Sequence, residues 1–421
     1  MRSESMYIII HRGTREVGGS CVEINSSTTT LLCDFGFPLS FEFGEDMDSV
    51  LPEPLYSDIT RGHKKIDAVL LSHAHLDHFG LMGKLPSHIP VYMGAATSRQ
   101  VQFIDRFTPH KIGHFHSMPF YDRKGFHIGD IEITPYLVNH AALDSYGFLI
   151  VADGKSLFYT GDFRGHGRNE ARFEGLLSDL PKVNVLLMEG TLIGDRLEES
   201  VPPESEIEKQ MVDLCQETKG AVFVSVPSMN IDRIITLYRA GRLTGRKFII
   251  DLHSAELFGQ LKDYSDEIPQ PSWPDVLLWY PWIQRERYFQ QGMGWVMRKY
   301  RKWKKPLSDF SSEIPKSVMM LRPPFRKEIE NNADLSNSVW VYSMWKGYLE
   351  RSEPLKHLQQ WTKVHGIPFV FLHTSGHAKL SDLKRLAEAL SPQAETSAHG
   401  KAASSSGGTA GSRQRPYCNF P

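Results

Sequence analysis

The sequence feature that most limits the fold of this chain is a cluster of histidines directly after an apolar stretch. His73, His75, Asp77 and His78 fall within six residues and follow the apolar residues 68–71. On a turn that leaves a strand, alternate residues can point to one side, so His73 and His75 can chelate one metal ion. The tighter turn that follows aims Asp77 and His78 at a second ion. Imidazole and carboxylate ligands suit zinc or manganese.

Further ligands are expected from positions that also follow predicted strands. His140 can supply a third imidazole to the first ion. Asp162 can bridge both ions, since Gly161 before it permits a close approach of the backbone. Asp34 is expected to orient the histidine turn by hydrogen bonds, with a plain turn residue as the alternative.

Length and composition set outer limits on the chain. Its 421 residues are too many for one ordinary core, so two domains, or one with a large insertion, are expected. The formal net charge of −1 excludes whole-protein attraction to nucleic acid or to anionic membrane. The four cysteines are scattered, which fits a reducing cytoplasm. The first apolar run is too short for a signal peptide, and no stretch approaches the ~20 residues that span a bilayer, so no membrane association is expected.

The predicted elements change character along the chain. About the first 190 residues are short strands with helices between some of them, which indicates an α/β sandwich with helices outside the sheets. From about residue 205 strands and helices alternate regularly, starting with a helix at 204–218 for which Ser205 is the predicted N-cap. Residues 350–364 are predicted as one helix. After residue 400 the composition becomes rich in Ser, Gly and Ala, which predicts a flexible tail at 401–421.

The order of these residues resembles the metallo-β-lactamase fold family. Asp34, the cluster at 73–78, His140 and Asp162 follow the order of that family's motifs, and Gly18-Gly19-Ser20 near the start is similar too. The resemblance implies an αββα sandwich. Because the family includes lactamases, thioesterases, glyoxalases and nucleases, the fold alone does not fix the substrate.

Three later motifs resemble those of the β-CASP nucleases, the branch that contains RNase J. Glu189 follows a predicted strand, residues 373–378 close another, and His399 lies near the C-terminus. The implied domains are residues 1–191 and 339–400 for the sandwich, with an inserted β-CASP α/β cap at 192–338.

This resemblance assigns roles to the motif residues. His399 is expected to complete the second metal site, although residues 393–399 are poor strand material. Glu189 is expected to orient His377 as general acid toward the leaving oxygen. His373 and Ser375 are expected to hold a phosphate.

The cap is expected to contribute to substrate binding. Residues 298–305 interleave basic and aromatic side chains, which can contact phosphates and stack bases, although a solvated helix face is the plain alternative. Ser228 and Arg233 are candidate phosphate contacts. A histidine at position 399 is typical of the RNA-processing members.

These observations predict an RNase J-like nuclease with two divalent ions, zinc before manganese. RNA is the favoured partner, single-stranded DNA the second, and a homodimer is left open. Two alternatives remain, a hydrolase of a small ester, thioester or lactam and a non-catalytic RNA-binding scaffold. The Glu189 and His377 motifs argue against the first, and the intact histidine cluster argues against the second.

Overall fold

The computed structural model describes residues 6–39, 55–107, 112–113, 115–193, 201–401 and 417–419. Side chains are described throughout these ranges except at Arg15 and at residues 55–57, 395–401 and 417–419. The chain divides into two compact units. The first comprises Met1–Val201 with Gly376–Pro421, and the second is Pro202–Ser375.

The first unit contains two mainly strand-based layers with helices outside them. Its strands, numbered along the whole chain, are β1 (Tyr7–Arg12), β2 (Arg15–Glu16), β3 (Cys21–Asn25), β4 (Thr30–Cys33), β5 (Ala68–Leu70), β6 (Pro90–Gly94), β7 (His116–Phe120), β8 (Phe126–Ile128), β9 (Ile131–Val138), β10 (Ser145–Ala152), β11 (Lys155–Tyr159), β12 (Val185–Glu189), β19 (Ala394–Lys401) and β20 (Tyr417–Asn419). Its helices are α1 (Leu55–Thr60), α2 (Leu76–Phe79), α3 (Ala95–Phe107), α4 (Glu170–Asp179) and α13 (Leu380–Leu390).

Two seven-stranded sheets of the first unit pack face to face. One has the order β20-β1-β3-β4-β5-β6-β7 and the other β2-β19-β12-β11-β10-β9-β8. Their shared core joins Val22 and Leu31 of one sheet to Ile133, Phe148 and Leu157 of the other. Each such side chain contributes roughly 1.5–3 kcal/mol when it is fully buried. Helix α3 packs on β6 and β7 of the first sheet, and α4 and α13 cover the second. The predicted α/β sandwich is confirmed.

Parallel pairing brings several strand ends to common edges of these sheets. β4, β5 and β6 run parallel, so the residues after β4 and β5 leave the first sheet on the same side. β11, β12 and β19 run parallel in the second sheet. The segments that follow β5, β9 and β11 carry the predicted ligands, and Glu189 is the last residue of β12.

The second unit is an α/β domain around a six-stranded sheet. Its strands are β13 (Val222–Ser225), β14 (Lys247–Asp251), β15 (Val276–Trp279), β16 (Ser317–Met320), β17 (Val339–Tyr342) and β18 (Phe369–Phe371). Its helices are α5 (Glu204–Glu217), α6 (Ile231–Leu243), α7 (Leu252–Leu261), α8 (Trp282–Gln290), α9 (Gly294–Lys299), α10 (Arg326–Glu330), α11 (Gly347–Arg351) and α12 (Glu353–Val364). The order is β15-β14-β16-β13-β17-β18 and every pair is parallel. Continuous apolar strands of this kind are typical of a sheet covered on both faces.

Several boundaries differ from the sequence predictions. Helix α5 begins at Glu204 after Pro203, so Ser205 is not the N-cap. The helix predicted at 350–364 is interrupted at Ser352, because Pro354 lacks an N–H and fits the first turn of a new helix. The sequence analysis predicted that the sandwich resumes at residue 339. However, β17 and β18 pair within the sheet of the second unit, which therefore extends to Ser375.

The C-terminal residues also differ from the prediction. The weakly strand-forming stretch around His399 is strand β19, since it pairs with β12 on one side and β2 on the other. Within the predicted tail, Lys401 ends β19 and Tyr417–Asn419 form β20 beside β1. Residues 402–416 and 420–421 lie outside the described residues. Among the residues described, no helix has the length and apolar character needed to cross a bilayer.

Candidate metal centre

The turn that carries the histidine cluster is fixed by the loop after β4. Phe35 N donates to His78 O at 2.7 Å, and Asp34 N donates to Leu70 O at 3.0 Å. A Cβ on Gly36 would lie 1.8 Å from Asp77 O, so only glycine permits this approach. The backbone of the cluster is therefore held before any ion binds.

Three imidazole rings from two segments converge in the first unit. His73 and His75 leave β5, and His140 follows β9. His73 Nε2 lies 3.1 Å from His75 Nδ1, which lies 3.2 Å from His140 Nε2. We call His73, His75 and His140 the three-histidine group. The sequence prediction that these residues meet matches this geometry.

Hydrogen bonds outside the group set which nitrogens face inward. The Ser72 hydroxyl donates to Asp34 Oδ2 at 2.8 Å, so it accepts from His73 Nδ1 at 3.0 Å. His140 Nδ1 donates to Gly376 O at 2.6 Å. Both Nε2 atoms therefore present lone pairs to the group.

The three-histidine group suits a divalent metal ion. Burial, together with the neighbouring histidines, holds the pKa of His73 and of His140 well below the ordinary value, and burial also lowers the pKa of His75. Neutral imidazole is the form that binds metal. Bonds of about 2.0–2.1 Å in a tetrahedral site place ligand nitrogens about 3.3 Å apart, close to the observed separations.

A second group of ligands lies beside the first. His78 Nε2 is 3.2 Å from Asp162 Oδ2 and 3.9 Å from Asp77 Oδ2, and Asp162 Oδ2 is 3.8 Å from His73 Nε2. Asp162 thus lies between the two groups, where the sequence predicted a bridging carboxylate. This group has more carboxylate than imidazole character, which suits a second divalent cation.

Asp34 holds His78 in place. Its carboxylate lies 2.8 Å from His78 Nδ1 and also accepts from Ser72 N and from Tyr159 OH. Burial would lower the pKa of His78, but the carboxylates of Asp162, Asp34 and Asp77 raise it well above the ordinary value. The geometry therefore agrees with the orienting role predicted for Asp34, and the site favours positive charge next to Asp162.

A carboxylate and a histidine pair at the other side of Asp162. His377 Nδ1 is 3.0 Å from Glu189 Oε2 and 3.5 Å from Asp162 Oδ2. Glu189 Oε1 accepts from Phe163 N and Ala378 N, so the carboxylate is fixed by the backbone. Burial opposes the charged form of His377, yet Glu189 and Asp162 raise its pKa to about 9.

Other predicted residues lie elsewhere or only partly within the description. His399 lies in β19 opposite Glu189 of β12, but its side chain is outside the described residues. His373 and Ser375 follow β18 at the end of the second unit, and the predicted phosphate contact by each stays a prediction.

The two predicted cap contacts are both buried in the second unit. Arg233 donates to both carboxylate oxygens of Glu204, at 2.7 and 3.0 Å, and is 0% exposed. Because its guanidinium is buried in this ion pair, Arg233 is not available to contact a phosphate, and the sequence prediction for this residue is wrong. Ser228 Oγ accepts from Arg322 at 2.5 Å and lies 2.8 Å from Ser254 Oγ.

Sequence reasoning missed the groups that orient the ligands. Ser72, Tyr159 and the Gly376 carbonyl each fix a ligand or its partner. Ser72 and Tyr159 stand next to or near predicted ligands in the sequence, and that adjacency was the available signal. The Gly376 contact joins residues 236 positions apart and had no local signal.

Comparisons with known proteins agree with this fold. A profile described as a beta-lactamase superfamily domain matches residues 45–226. Ribonuclease J 2 of Streptococcus pyogenes is 25% identical over 256 residues, 58% of this chain and 45% of that protein. An RNase J-like protein of Methanocaldococcus jannaschii is 28% identical over 256 residues, 55% of each chain. Transcription termination factor FttA of Methanothermobacter thermautotrophicus is 27% identical over 227 residues, 49% of this chain and 34% of that protein.

These matches cover only part of the relatives, since the chain spans from about a third to about half of their length. A crystal structure of an Enterococcus faecalis protein of unknown function shares the fold, with a TM-score of 0.77 and 18% identity over 98% of this chain and 99% of that one. Residues 45–226 are therefore similar to a beta-lactamase superfamily domain, and the sandwich carries histidine–carboxylate groups suited to divalent metal. In sequence, the chain is similar to proteins named ribonuclease J.

Proposed function

We propose that this chain is a metal-dependent hydrolase that cleaves phosphodiester bonds in RNA. The observation that carries the proposal is that Asp162 lies between the three-histidine group and the Glu189–His377 pair, within one unit. A metal group alone serves many hydrolases, but a carboxylate-oriented histidine beside it adds a proton donor for a leaving oxygen. The relatives named ribonuclease J support RNA as the substrate.

Two divalent ions, zinc or manganese, fit the ligand groups. The three-histidine group would hold the first, and Asp77 and His78 the second, with Asp162 shared between them. His399 is proposed as a further ligand of the second ion. The chemistry that bound divalent ions supply is activation of a water molecule and neutralisation of charge on the phosphate oxygens.

The protein's own groups then position and move protons. Glu189 holds Nδ1 of His377, which leaves Nε2 to donate a proton to the departing oxygen of the phosphodiester. The Glu189 carboxylate beside it raises the pKa of His377, which favours the protonated form that a general acid requires. Asp34 and Ser72 keep the ligand imidazoles of His78 and His73 in fixed orientations.

Cleavage of 5′-labelled single-stranded RNA in manganese or zinc tests the proposal. We expect His377→Gln to lower kcat by about 10²- to 10⁴-fold with an unchanged metal content, because it removes only the proton donor. Glu189→Gln should move the basic limb of the pH profile to lower pH, since the lost carboxylate no longer raises the pKa of His377. His127→Gln, an exposed histidine of β8, is the matched control.

Two results would contradict the proposed function. One is metal-dependent RNA cleavage that is unchanged in His377→Gln. The other is efficient turnover of small esters or thioesters with no cleavage of RNA or of single-stranded DNA. Both assays use the same metal-loaded preparation, so a negative result cannot be assigned to lost metal.

A further inference from the structure

The second unit contains a basic pocket that the metal chemistry does not use. The cavity has a volume of about 260 Å³, whereas roughly 10–15 Å³ is enough for one water molecule. Several separate segments of the second unit line the cavity. Its polar lining residues include Tyr280, Arg285, Lys304, Lys305, Ser308 and Glu328. We call this cavity the basic pocket.

Hydrogen bonds hold the walls of the basic pocket together. Lys305 N donates to Leu278 O at 3.2 Å, and this hydrogen bond holds the segment with Lys304 and Lys305 against the end of β15. Tyr280 OH donates to Met297 O at 3.0 Å, and Lys304 Nζ lies 5.3 Å from the centre of the Tyr280 ring. The cavity is therefore formed by the fold of the second unit and is not just a gap between mobile side chains.

The cations of the basic pocket differ from others in the same unit. Arg285, Lys304 and Lys305 are exposed, and no ion pair joins any of them to a carboxylate in the described part of the chain. Lys299 and Arg322, by contrast, pair with Glu256 and Asp251. Unneutralised cations that line one concave surface attract an anion.

The carboxylate in the lining is engaged by the backbone. Glu328 Oε2 accepts from Trp282 N at 3.0 Å. The lining therefore carries three cations and one carboxylate, so its net charge is positive. The hydrogen bond from Trp282 N also places the start of α8 at the pocket, and Trp282 there is 60% exposed. Trp282 is not a lining residue, but its backbone is tied to the lining residue Glu328, and its exposed indole offers a flat surface on which a base can stack.

We propose that the basic pocket binds backbone phosphates of single-stranded RNA, with a base stacked on Trp282. This inference rests on the proposed function, because it gives the same substrate a second point of contact. Arg285 can donate two hydrogen bonds to one phosphate, and Lys304 and Lys305 act as point charges. Such contacts read the backbone and not the base, so binding is indifferent to sequence.

Binding to a fluorescein-labelled uridine oligomer, followed by anisotropy at several salt concentrations, tests the basic pocket. The metal-loaded full chain with His377→Gln serves as the background, so that the RNA stays intact. We expect Arg285→Gln/Lys304→Gln/Lys305→Gln to weaken binding about tenfold or more. The slope of log K against log salt should fall by about 2, from three lost phosphate contacts at about 0.7 each.

Matched variants separate the pocket from general charge. Lys209→Gln/Lys262→Gln/Lys363→Gln removes three exposed cations of the same unit and should leave binding within about twofold. Trp282→Ala should weaken binding about fivefold or more while the salt slope stays the same, because stacking releases no counterions. Equal losses for a deoxyuridine oligomer would support phosphate as the recognised group.

Equal weakening by the two triple variants would overturn the pocket, since it would show that only net charge matters. RNA cleavage by the wild type together with unchanged binding by the pocket variant would overturn the pocket alone. RNA binding through the pocket without any cleavage would overturn the proposed function alone. A wild type that neither binds nor cleaves RNA would overturn both.

Discussion

Charged side chains are arranged in opposite ways in the candidate metal centre and in the basic pocket. In the metal centre, Asp162, His78 and Glu189 are buried and lie within hydrogen-bonding distance of defined partners. In the basic pocket, Arg285 and Lys304 are exposed and have no ion pair among the described residues. Burying an ion costs several kcal/mol unless hydrogen bonds and opposite charges offset the lost hydration, so a buried charged side chain is held in one position by its partners. Exposed cations attract at a distance without a fixed geometry.

The proposed catalysis and the proposed RNA binding make different demands on charged side chains. A reacting group needs its atoms fixed to within a fraction of an ångström, which the interlocked first unit supplies. A flexible polyanion needs positive potential and a stacking surface, which the basic pocket supplies without rigid pairing. The contrast depends on burial and not on which unit is considered, as Arg233 of the second unit shows.

Replacing Arg233 should give the largest stability loss among the charged residues of the second unit. Arg233→Met leaves the buried Glu204 carboxylate without its guanidinium, and we expect a loss of about 3–5 kcal/mol in the free energy of unfolding. Urea unfolding of the full chain measures it. The double variant Arg233→Met/Glu204→Leu should recover part of the loss. A loss under about 1 kcal/mol for the single variant would break the proposed link between burial and fixed geometry.

Glu23 gives a comparable, pH-dependent effect in the first unit. Burial would raise the pKa of this fully buried carboxylate, but hydrogen bonds from His11, Lys64 and Asn25 lower it from 4.5 to about 2. The stability it contributes is therefore present above pH 4.5 and is lost as the pH falls toward 2.

The matching measurement compares Glu23→Gln with the wild type across this pH range. The variant should be less stable by about 3 kcal/mol at neutral pH, and the difference should shrink below pH 4.5. Glu132→Gln, on the exposed side of β9, should show no such change. A difference that is constant from pH 7 to pH 2 would contradict the assigned cause.

The smallest stability effect is expected for the exposed arginine of the basic pocket. Arg285→Gln should change the free energy of unfolding by less than about 0.5 kcal/mol, since it removes no ion pair or buried contact. Thermal melting of the full chain checks this value. A loss as large as that of Arg233→Met would mean that Arg285 holds the fold and is not available for a ligand.

The sequence predicted which candidate ligands lie together better than it predicted their surroundings. His73, His75, His140 and Asp162 were found because each follows an apolar strand, β5, β9 or β11. These strands belong to two different sheets, and the packing of the two sheets brings the residues that follow them together. Tyr159 was not assigned a role because its hydroxyl meets Asp34 across 125 positions, a distance that local patterns do not encode.

Tertiary context accounts for the errors. Arg233 was predicted as a phosphate contact, but its buried partner Glu204 lies 29 residues away and only the packed helices α5 and α6 bring the two together. The stretch around His399 has little strand propensity, yet β12 and β2 pair with it on both sides. β17 and β18 were assigned to the wrong unit because strand patterns do not reveal which sheet a strand joins.

Metal titration of the metal-free full chain tests the central claim most directly. Isothermal titration with zinc and with manganese, checked by elemental analysis, should give about two ions per chain. His140→Ala should lose the ion proposed for the three-histidine group and all RNA cleavage, because it removes a nitrogen of that group. Binding of no ion by the wild type, or the same stoichiometry and affinity in His140→Ala, would contradict a metal centre at these residues.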